Sequence, residues 1–227
     1  MVRPAFGEAG GLTGAGANGL IRTMVPNLNS GSKIPAAAPK GVRKKLEILR
    51  GAAAAFRDRG YAATSVRDIA RRTGMAPGNL YYYFRNKQEI LYFCQDYSLD
   101  VLLREARRVA RAQEAPETKV RAIVRAHVLC MLDALHGSAG HIEFHAIPRA
   151  RLRRIIAKRD AYERIVRDVV EDGVRRRRFA ARDAKLATLA ILGAVNWTAR
   201  WYRAGGTLTP EAIADAFADY LVRGLLR

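Results

Sequence analysis

Residues 65–87 read SVRDIARRTGMAPGNLYYYFRNK, and their spacing predicts two short helices around a tight turn. Ser65 is placed to accept from the free N–H groups at a helix start, and Val66, Ile69 and Ala70 follow at i, i+3 and i+4 on one face. Arg67, Arg71 and Arg72 are left facing water. Gly74 can take the left-handed conformation that ends a helix without a Cβ clash. Pro77 suits the first turn of a second helix, where its missing N–H has no intrahelical partner, and Leu80 with Phe84 gives that helix a buried side. The opposite face carries Gly78, Asn79, Tyr81 and Tyr82. A helix that enters the DNA major groove must be narrow at its N-terminal end and carry donors and acceptors for base edges and phosphates; this one does both. A helical hairpin with surface tyrosines would share the apolar spacing, but the turn glycine and the flanking basic residues favour a helix-turn-helix.

Composition agrees. The 227 residues suffice for one or two domains with real cores, and 49% hydrophobic content excludes wholesale disorder. Forty Lys and Arg against twenty-one Asp and Glu leave a formal charge of +19, which points to phosphate polyanions or an anionic surface. The excess is densest over residues 40–90, with twelve basic and four acidic side chains. That charge alone would also suit a nonspecific, nucleoid-type DNA-binding protein without an effector. Cys94 and Cys130 lie in apolar helical patterns and suggest no disulfide framework, so a reducing cytoplasm is the expected location. The sequence shows neither an apolar run of membrane-spanning length nor a secretory-signal pattern, and no membrane partner is expected.

Residues 1–39 are rich in Gly, Ala, Pro, Asn and Ser and lack periodicity, which reads as a disordered N-terminal extension. A basic arm for the minor groove is the alternative, with only Arg3, Arg22 and Lys33 ahead of the lysines and arginine at 40–45. Amphipathic helices follow. Leu46, Leu49, Ala53 and Phe56 run at helical spacing until Gly60, which makes residues 40–86 a three-helix head. Asn86 as cap with Glu89 at the third helical position predicts a long connector from near Lys87 to about Ala112. Pro116 opens the next helix, with Val120, Ile123, Val124, His127, Val128 and Met131 on its apolar side. A short helix is predicted over 141–147, and Pro148 starts another through Ile155, Tyr162, Ile165, Val166 and Val169 toward the arginines at 175–178, which suit a helix C-terminus. Leu186, Ala190, Gly193 and Ala194 on the penultimate helix, and Ile213, Ala214, Phe217, Ala218, Leu221 and Leu225 on the last, predict an interface pair that packs against its two-fold copy as a four-helix bundle. A homodimer is what two DNA half-sites require. Packing within the chain would produce the same stripe.

The segment RKKLEILRGAAAAFRDRGYAATSVRDIARRTGMAPGNLYYYFRNKQEIL, with an all-helical remainder, resembles the TetR family of transcriptional regulators. The resemblance implies an all-α fold: a helix-turn-helix DNA-binding domain over 40–86 and a helical effector-binding and dimerisation domain over 87–227. It implies phosphate or base contacts from Ser65, Arg67, Asn79, Tyr81, Tyr82 and Lys87, with Pro77 and Gly78 at the groove floor and Leu80 and Phe84 holding the helix to its domain. Ala76 stands where the family often has a hydroxyl. The closing segment AILGAVNWTARWYRAGGTLTPEAIADAFADYLVRGL is similar to regulators of fatty-acid or sterol catabolism that release DNA on binding acyl-CoA thioesters. The candidate effector residues are then His127, Met131, Phe144, Asn196, Trp197, Arg200 and Trp201, for an acyl-CoA or sterol-CoA ligand. Trp197 and Trp201 are i, i+4 neighbours beside Asn196, Arg200 and Arg203, a surface suited to an acyl chain and phosphates, although core or dimer packing would use the pair equally well. Arg149, Arg151, Arg153, Arg154, Lys158 and Arg159 form a second basic cluster, either for coenzyme A phosphates or simply solvated.

Catalysis finds no footing. His141 and His145 flank Glu143 without the H-E-x-x-H order or a third ligand, so no metal site is assigned. There is no G-x-S-x-G, P-loop or dinucleotide motif, and no cofactor is expected. The reading is a ligand-responsive repressor that binds a palindromic operator in double-stranded DNA as a homodimer and is released by a small effector.

Overall fold

A computed structural model describes residues 39–133 and 146–227. The described residues form α1 (Lys40–Ala63), α2 (Val66–Arg72), α3 (Pro77–Tyr83), α4 (Lys87–Arg111), α5 (Pro116–Leu132), α6 (Arg149–Arg175), α7 (Ala184–Trp201) and α8 (Pro210–Arg223). The expected N-terminal extension up to residue 38 and most of the expected 141–147 helix, with Phe144, His141 and His145, lie outside the described residues.

The head forms as its apolar spacing predicts. Val42, Leu46, Leu49, Ala53 and Phe56 of α1 are buried with Ile69 and Ala70 of α2, Leu80 of α3 and Phe84. Gly60, at φ 77°, breaks the helical path inside α1, and Tyr61 then folds back so that its ring lies 5.3 Å from that of Phe56. Gly74, at φ 64°, makes the turn between α2 and α3. Where α2 ends against α1 the approach is close enough that a Cβ on Gly51 would overlap Thr73 Cγ2. Thr73 is fixed there, because its hydroxyl donates to the carbonyls of Ile69 and Ala70 at 3.1 and 3.0 Å. Gly51→Val is therefore expected to destabilise the head by about 1–3 kcal/mol through overpacking. Faster amide hydrogen exchange in α2, with α5 and α8 unaffected, would show it; unchanged protection of α2 would contradict the packing argument.

In the second half, α5 is central and touches α4, α6, α7 and α8. Ile213, Ala214, Ala218 and Val222 of α8 are buried, and Arg125 joins Asp215 at 2.6 Å while Arg121 pairs with Asp219. This corrects the expected use of the last helix. Most of its apolar stripe closes the core of its own chain against α5, so it is not available to a two-fold copy. The chain end is tied down by the N–H of Ala180 donating to Leu225 O at 2.8 Å beside the buried Phe179.

The connector α4 starts where Asn86 Oδ1 accepts from the Glu89 N–H at 2.8 Å. It lies along α6 through charged side chains. Arg151 meets Glu89 at 2.9 Å, Arg154 meets Asp96 at 3.3 Å, and Lys158 reaches both Asp96 and Asp100, the latter at 2.8 Å. Cys94 and Cys130 are free and buried, and burial pushes the Cys94 thiol up to about 12. No helix among the described residues is long and apolar enough to cross a membrane.

Candidate functional site

Two surfaces and one cavity carry the residues of interest. On the head, Pro77, Gly78, Asn79, Tyr81 and Tyr82 form the exposed face of α3, and Tyr82 is 82% exposed, while Leu80 and Phe84 anchor the helix from beneath. A large phenol held in water next to a small glycine and a carboxamide is a surface with reach, donors and acceptors, and little bulk at the helix start. Beside it, a cleft of about 420 Å³ is lined by Met75, Asn79, Tyr82 and Tyr83 on one wall and by Lys40, Arg43, Lys44 and Glu47 of α1 on the other, with Lys44 paired to Glu47 at 2.9 Å. The basic run at 40–45 is visible in the sequence, but only the folded head brings it to one cleft with the exposed face of α3. Cations, an amide and a phenol around one cleft can grip a phosphate backbone.

Ser65 and Lys87 do different local work. The Ser65 hydroxyl accepts from the Asp68 N–H at 3.1 Å and donates to Asp68 Oδ2 at 2.6 Å, and the Ser65 N–H donates to the same oxygen at 2.9 Å. This reciprocal cap opens α2. Those hydrogen bonds, with Arg59 and Arg71 nearby, hold the Asp68 carboxyl below its ordinary range. Arg67 is exposed beside the cap. The Lys87 ammonium donates to the carbonyls of Tyr61 and Ala62 at 2.8 and 3.3 Å and sits 4.3 Å from the centre of the Tyr61 ring. Its charge is engaged at the end of α1, tying the connector to the head.

A cavity of about 410 Å³ lies between α4, α5, α6 and α7. Three of the sequence-predicted effector residues, His127, Met131 and Asn196, line it. Trp197, Arg200 and Trp201 are not brought to it: Trp197 is 62% exposed with the Arg200 guanidinium 5.8 Å from its ring centre, and Trp201 stacks on Phe217. On α7 the lining runs over Leu189, Leu192, Gly193 and Asn196 and stops short of Trp197, which lies one turn beyond Gly193. The cavity also takes Gln95, Ser98, Leu99 and Leu102 from α4, Arg159, Asp160, Tyr162 and Glu163 from α6, and Leu189, Leu192 and Gly193 from α7; of these the sequence marks only Arg159, through the basic cluster on α6, as a candidate ligand contact. Periodicity marks such residues only as inward-facing. His127 Nδ1 and the Tyr162 hydroxyl are 3.1 Å apart, and burial raises the Tyr162 phenol. Of the basic cluster on α6, Arg151, Arg154 and Lys158 are paired with α4 carboxylates, and Arg159 faces the cavity, where burial lowers its guanidinium to about 10. Among the described residues no group of three or more His, Cys, Asp or Glu could hold a metal ion.

The second surface is on α7. Leu186, Leu189, Ala190, Gly193 and Trp197 are exposed at i, i+3, i+4, i+7 and i+11, and Tyr220 of α8 is 71% exposed. An apolar stripe of this kind is unusual on a helix that faces only water.

Comparison with known proteins adds the following. Residues 48–92 match the family described as bacterial regulatory proteins, tetR family, and residues 113–225 match the tetracyclin repressor-like C-terminal domain. The chain is 28% identical over 187 residues to the HTH-type transcriptional repressor KstR2 of Rhodococcus jostii (strain RHA1), covering 80% of this chain and 91% of that protein. The crystal structure of the TetR family transcriptional regulator PfmR from Thermus thermophilus superposes with a TM-score of 0.71 at 31% identity, over 79% of this chain and 99% of that one. AibR, in its complex with isovaleryl coenzyme A and operator DNA, shares the fold, with a TM-score of 0.67 and 24% identity over 81% of this chain and 98% of that one.

Proposed function

This chain belongs to the TetR family of transcriptional regulators, and we propose that it is a homodimeric repressor that reads a palindromic operator with α3 and leaves it when a small effector fills the cavity between α4, α5, α6 and α7. The observation that carries the reading is the exposed face of α3, anchored by Leu80 and Phe84 and set beside the cations at the start of α1. Two such faces about one DNA turn apart, roughly 34 Å, would enter successive major grooves. The test is the ratio of operator to random-sequence affinity at one salt concentration, since both kinds of binding weaken with salt. A ratio near one would favour a nonspecific DNA-coating protein. Tyr82→Ala is expected to lower operator affinity about tenfold or more by removing one contact at the groove, with the dimer intact. Lys87→Ala is also expected to weaken binding, by loosening the tie between α4 and the end of α1. Operator titrations unaffected by either change would displace the recognition face from α3.

For the effector, an acyl-CoA thioester is the proposed class. AibR, which shares the fold, has isovaleryl coenzyme A in its structure, and the cavity here combines apolar walls of Leu99, Leu102, Met131 and Leu192 with a charged edge of Arg159, Asp160 and Glu163. Its volume accommodates the acyl portion of such a ligand. Coupling to the head runs along α4, which presents Gln95, Ser98, Leu99 and Leu102 to the cavity and, at its first turn, holds Tyr61 through Lys87 and Arg151 of α6 through Glu89. A ligand that shifts α6 against α4 would tilt this turn and change the spacing of the two heads. A loss of affinity of ten- to a hundredfold needs only about 1.4–3 kcal/mol of such coupling. Titrating acyl-CoA thioesters into the operator complex should release DNA. Unchanged operator affinity across chain lengths and sterol thioesters would remove the class.

A further inference from the structure

Gln95 is the feature of the cavity that an unadorned hydrocarbon ligand leaves unexplained. It lies in the middle of α4, only 1% exposed, and lines the cavity between α4 and α6. Neither its amide nitrogen nor its amide oxygen has a hydrogen-bond partner among the described residues. At the same cavity, Asn196 Oδ1 of α7 is likewise buried without a partner among the described residues. Most buried polar side chains are hydrogen-bonded, and one left unsatisfied carries the penalty of its lost hydration. A cavity meant only for an alkyl chain would gain from Leu or Met at position 95. The carboxamide supplies two donors and one acceptor, and the unpartnered Asn196 oxygen adds a second acceptor.

Resting on the reading of this cavity as the effector site, we propose that it selects ligands whose apolar body carries a hydroxyl or carbonyl oxygen, and that Gln95 is the specificity-determining residue. A hydroxyl can donate to the Gln95 oxygen or to Asn196 Oδ1 and accept from the Gln95 nitrogen; a ketone oxygen accepts from the nitrogen. An unsubstituted chain of equal length fills the same volume but leaves both amide groups unmatched after water has been displaced. Sites built around buried hydrogen-bonding groups reject analogues that lack the matching atom far more strongly than apolar sites distinguish one methylene.

The test is a matched ligand series against the full chain. Decanoic acid and its hydroxy- and oxo-substituted forms, with the substituent moved along the chain, are each supplied as the free acid and as the coenzyme A thioester. Binding is read by calorimetry, and release of operator DNA by anisotropy. At least one substituted position is expected to bind roughly ten- to a hundredfold tighter than the parent. In Gln95→Leu that preference should collapse or invert, with the parent binding more tightly than it does to the wild type. Gln95→Met serves the same purpose should the leucine variant melt early. Equal binding of parent and substituted ligands, or a preference that survives both variants, overturns the role of Gln95. If the parent thioester binds and releases DNA without preference, the effector cavity stands and only its polar selectivity falls. If no member of the series binds in either form, both readings fall for ligands of this size.

Discussion

The double substitution Leu186→Glu, Trp197→Glu is expected to leave the protein folded but monomeric, and to reduce its affinity for a full palindromic operator by on the order of a hundredfold or more. Both side chains stand on the exposed stripe of α7, at 64% and 62% exposure, so neither change opens a cavity in the core. Among the described residues the stripe stays exposed, with Leu189 and Gly193 also at the cavity, whereas Ile213, Ala214, Ala218 and Val222 of α8 are packed against α5. A two-fold copy laid on α7 would place each Trp197 and Tyr220 in a dry seam around the small residues Ala190 and Gly193, which permit close helix approach. Four carboxylates introduced into that seam would be desolvated without partners. The operator loss follows from connectivity: two heads joined by a dimer bind the second half-site at high effective concentration, and separated heads do not. Sedimentation gives the mass, and titration against full and half operators gives the affinities. Half-site binding should be nearly unchanged. A variant that remains a dimer removes α7 as the seam, and a monomer that holds the full operator as tightly as the wild type removes the two-half-site reading. Because Trp197 does not line the cavity, effector binding by the variant should also persist. Its loss would return Trp197 to the ligand role that its neighbourhood in sequence suggested.

The head was legible because each of its devices is local. Ser65 caps a helix three residues ahead of Asp68, Gly74 turns the chain, Pro77 opens the next helix, and Leu80 with Phe84 lies one helical turn apart; all of these appear in the structure within a short stretch of chain. The cleft between α1 and α3 was not legible, since Lys40 and Asn79 come to line one cleft only in the folded head. Lys87 shows the same limit more sharply. Its motif position suggests an outward contact, whereas its ammonium is held by two carbonyls of the last turn of α1, those of Tyr61 and Ala62. In the second half, helical spacing located the apolar faces but not their partners. The stripe of α8 is equally suited to α5 and to a second chain, and only the three-dimensional packing assigns it to α5. Trp197 and Trp201 attract attention as a pair, but the cavity lining on α7 ends at Gly193 and Asn196, one turn short of Trp197 along its own stripe. Gln95 carried no sequence signal beyond a polar residue at an inward position.

Lys158→Met should lower stability by about 3–5 kcal/mol at neutral pH, enough to move the melting temperature down by roughly 6–15 °C. The side chains of Lys158, Asp96 and Asp100 are only 11%, 8% and 12% exposed, and the ammonium sits between the two carboxylates at the seam of α4 and α6. Methionine keeps most of the volume of the stem, so the principal change is electrostatic: two nearly buried carboxylates on successive turns of α4 lose their shared cation. Arg154 stays within 3.3 Å of Asp96 but is 47% exposed and can compensate only in part. Adding Asp100→Asn to the methionine variant should recover part of the loss by removing the like charge that the lysine had balanced, whereas Asp100→Asn alone should destabilise. This sign reversal distinguishes a charge effect from a packing defect, which the second substitution would not repair. Thermal and chemical unfolding of the four proteins closes the double-mutant cycle. The position of the cluster also gives the outcome a functional side: it lies one turn from Gln95 and Ser98 at the cavity and two turns from Glu89 at the head. Weakening it should loosen α6 against α4 along the line by which an effector would act, so under conditions where the variant remains folded, the change in operator affinity on adding effector should shrink. A methionine variant as stable as the wild type would show that the seam is held by its apolar contacts alone, and the ion pairs would then carry no part of the link between cavity and head.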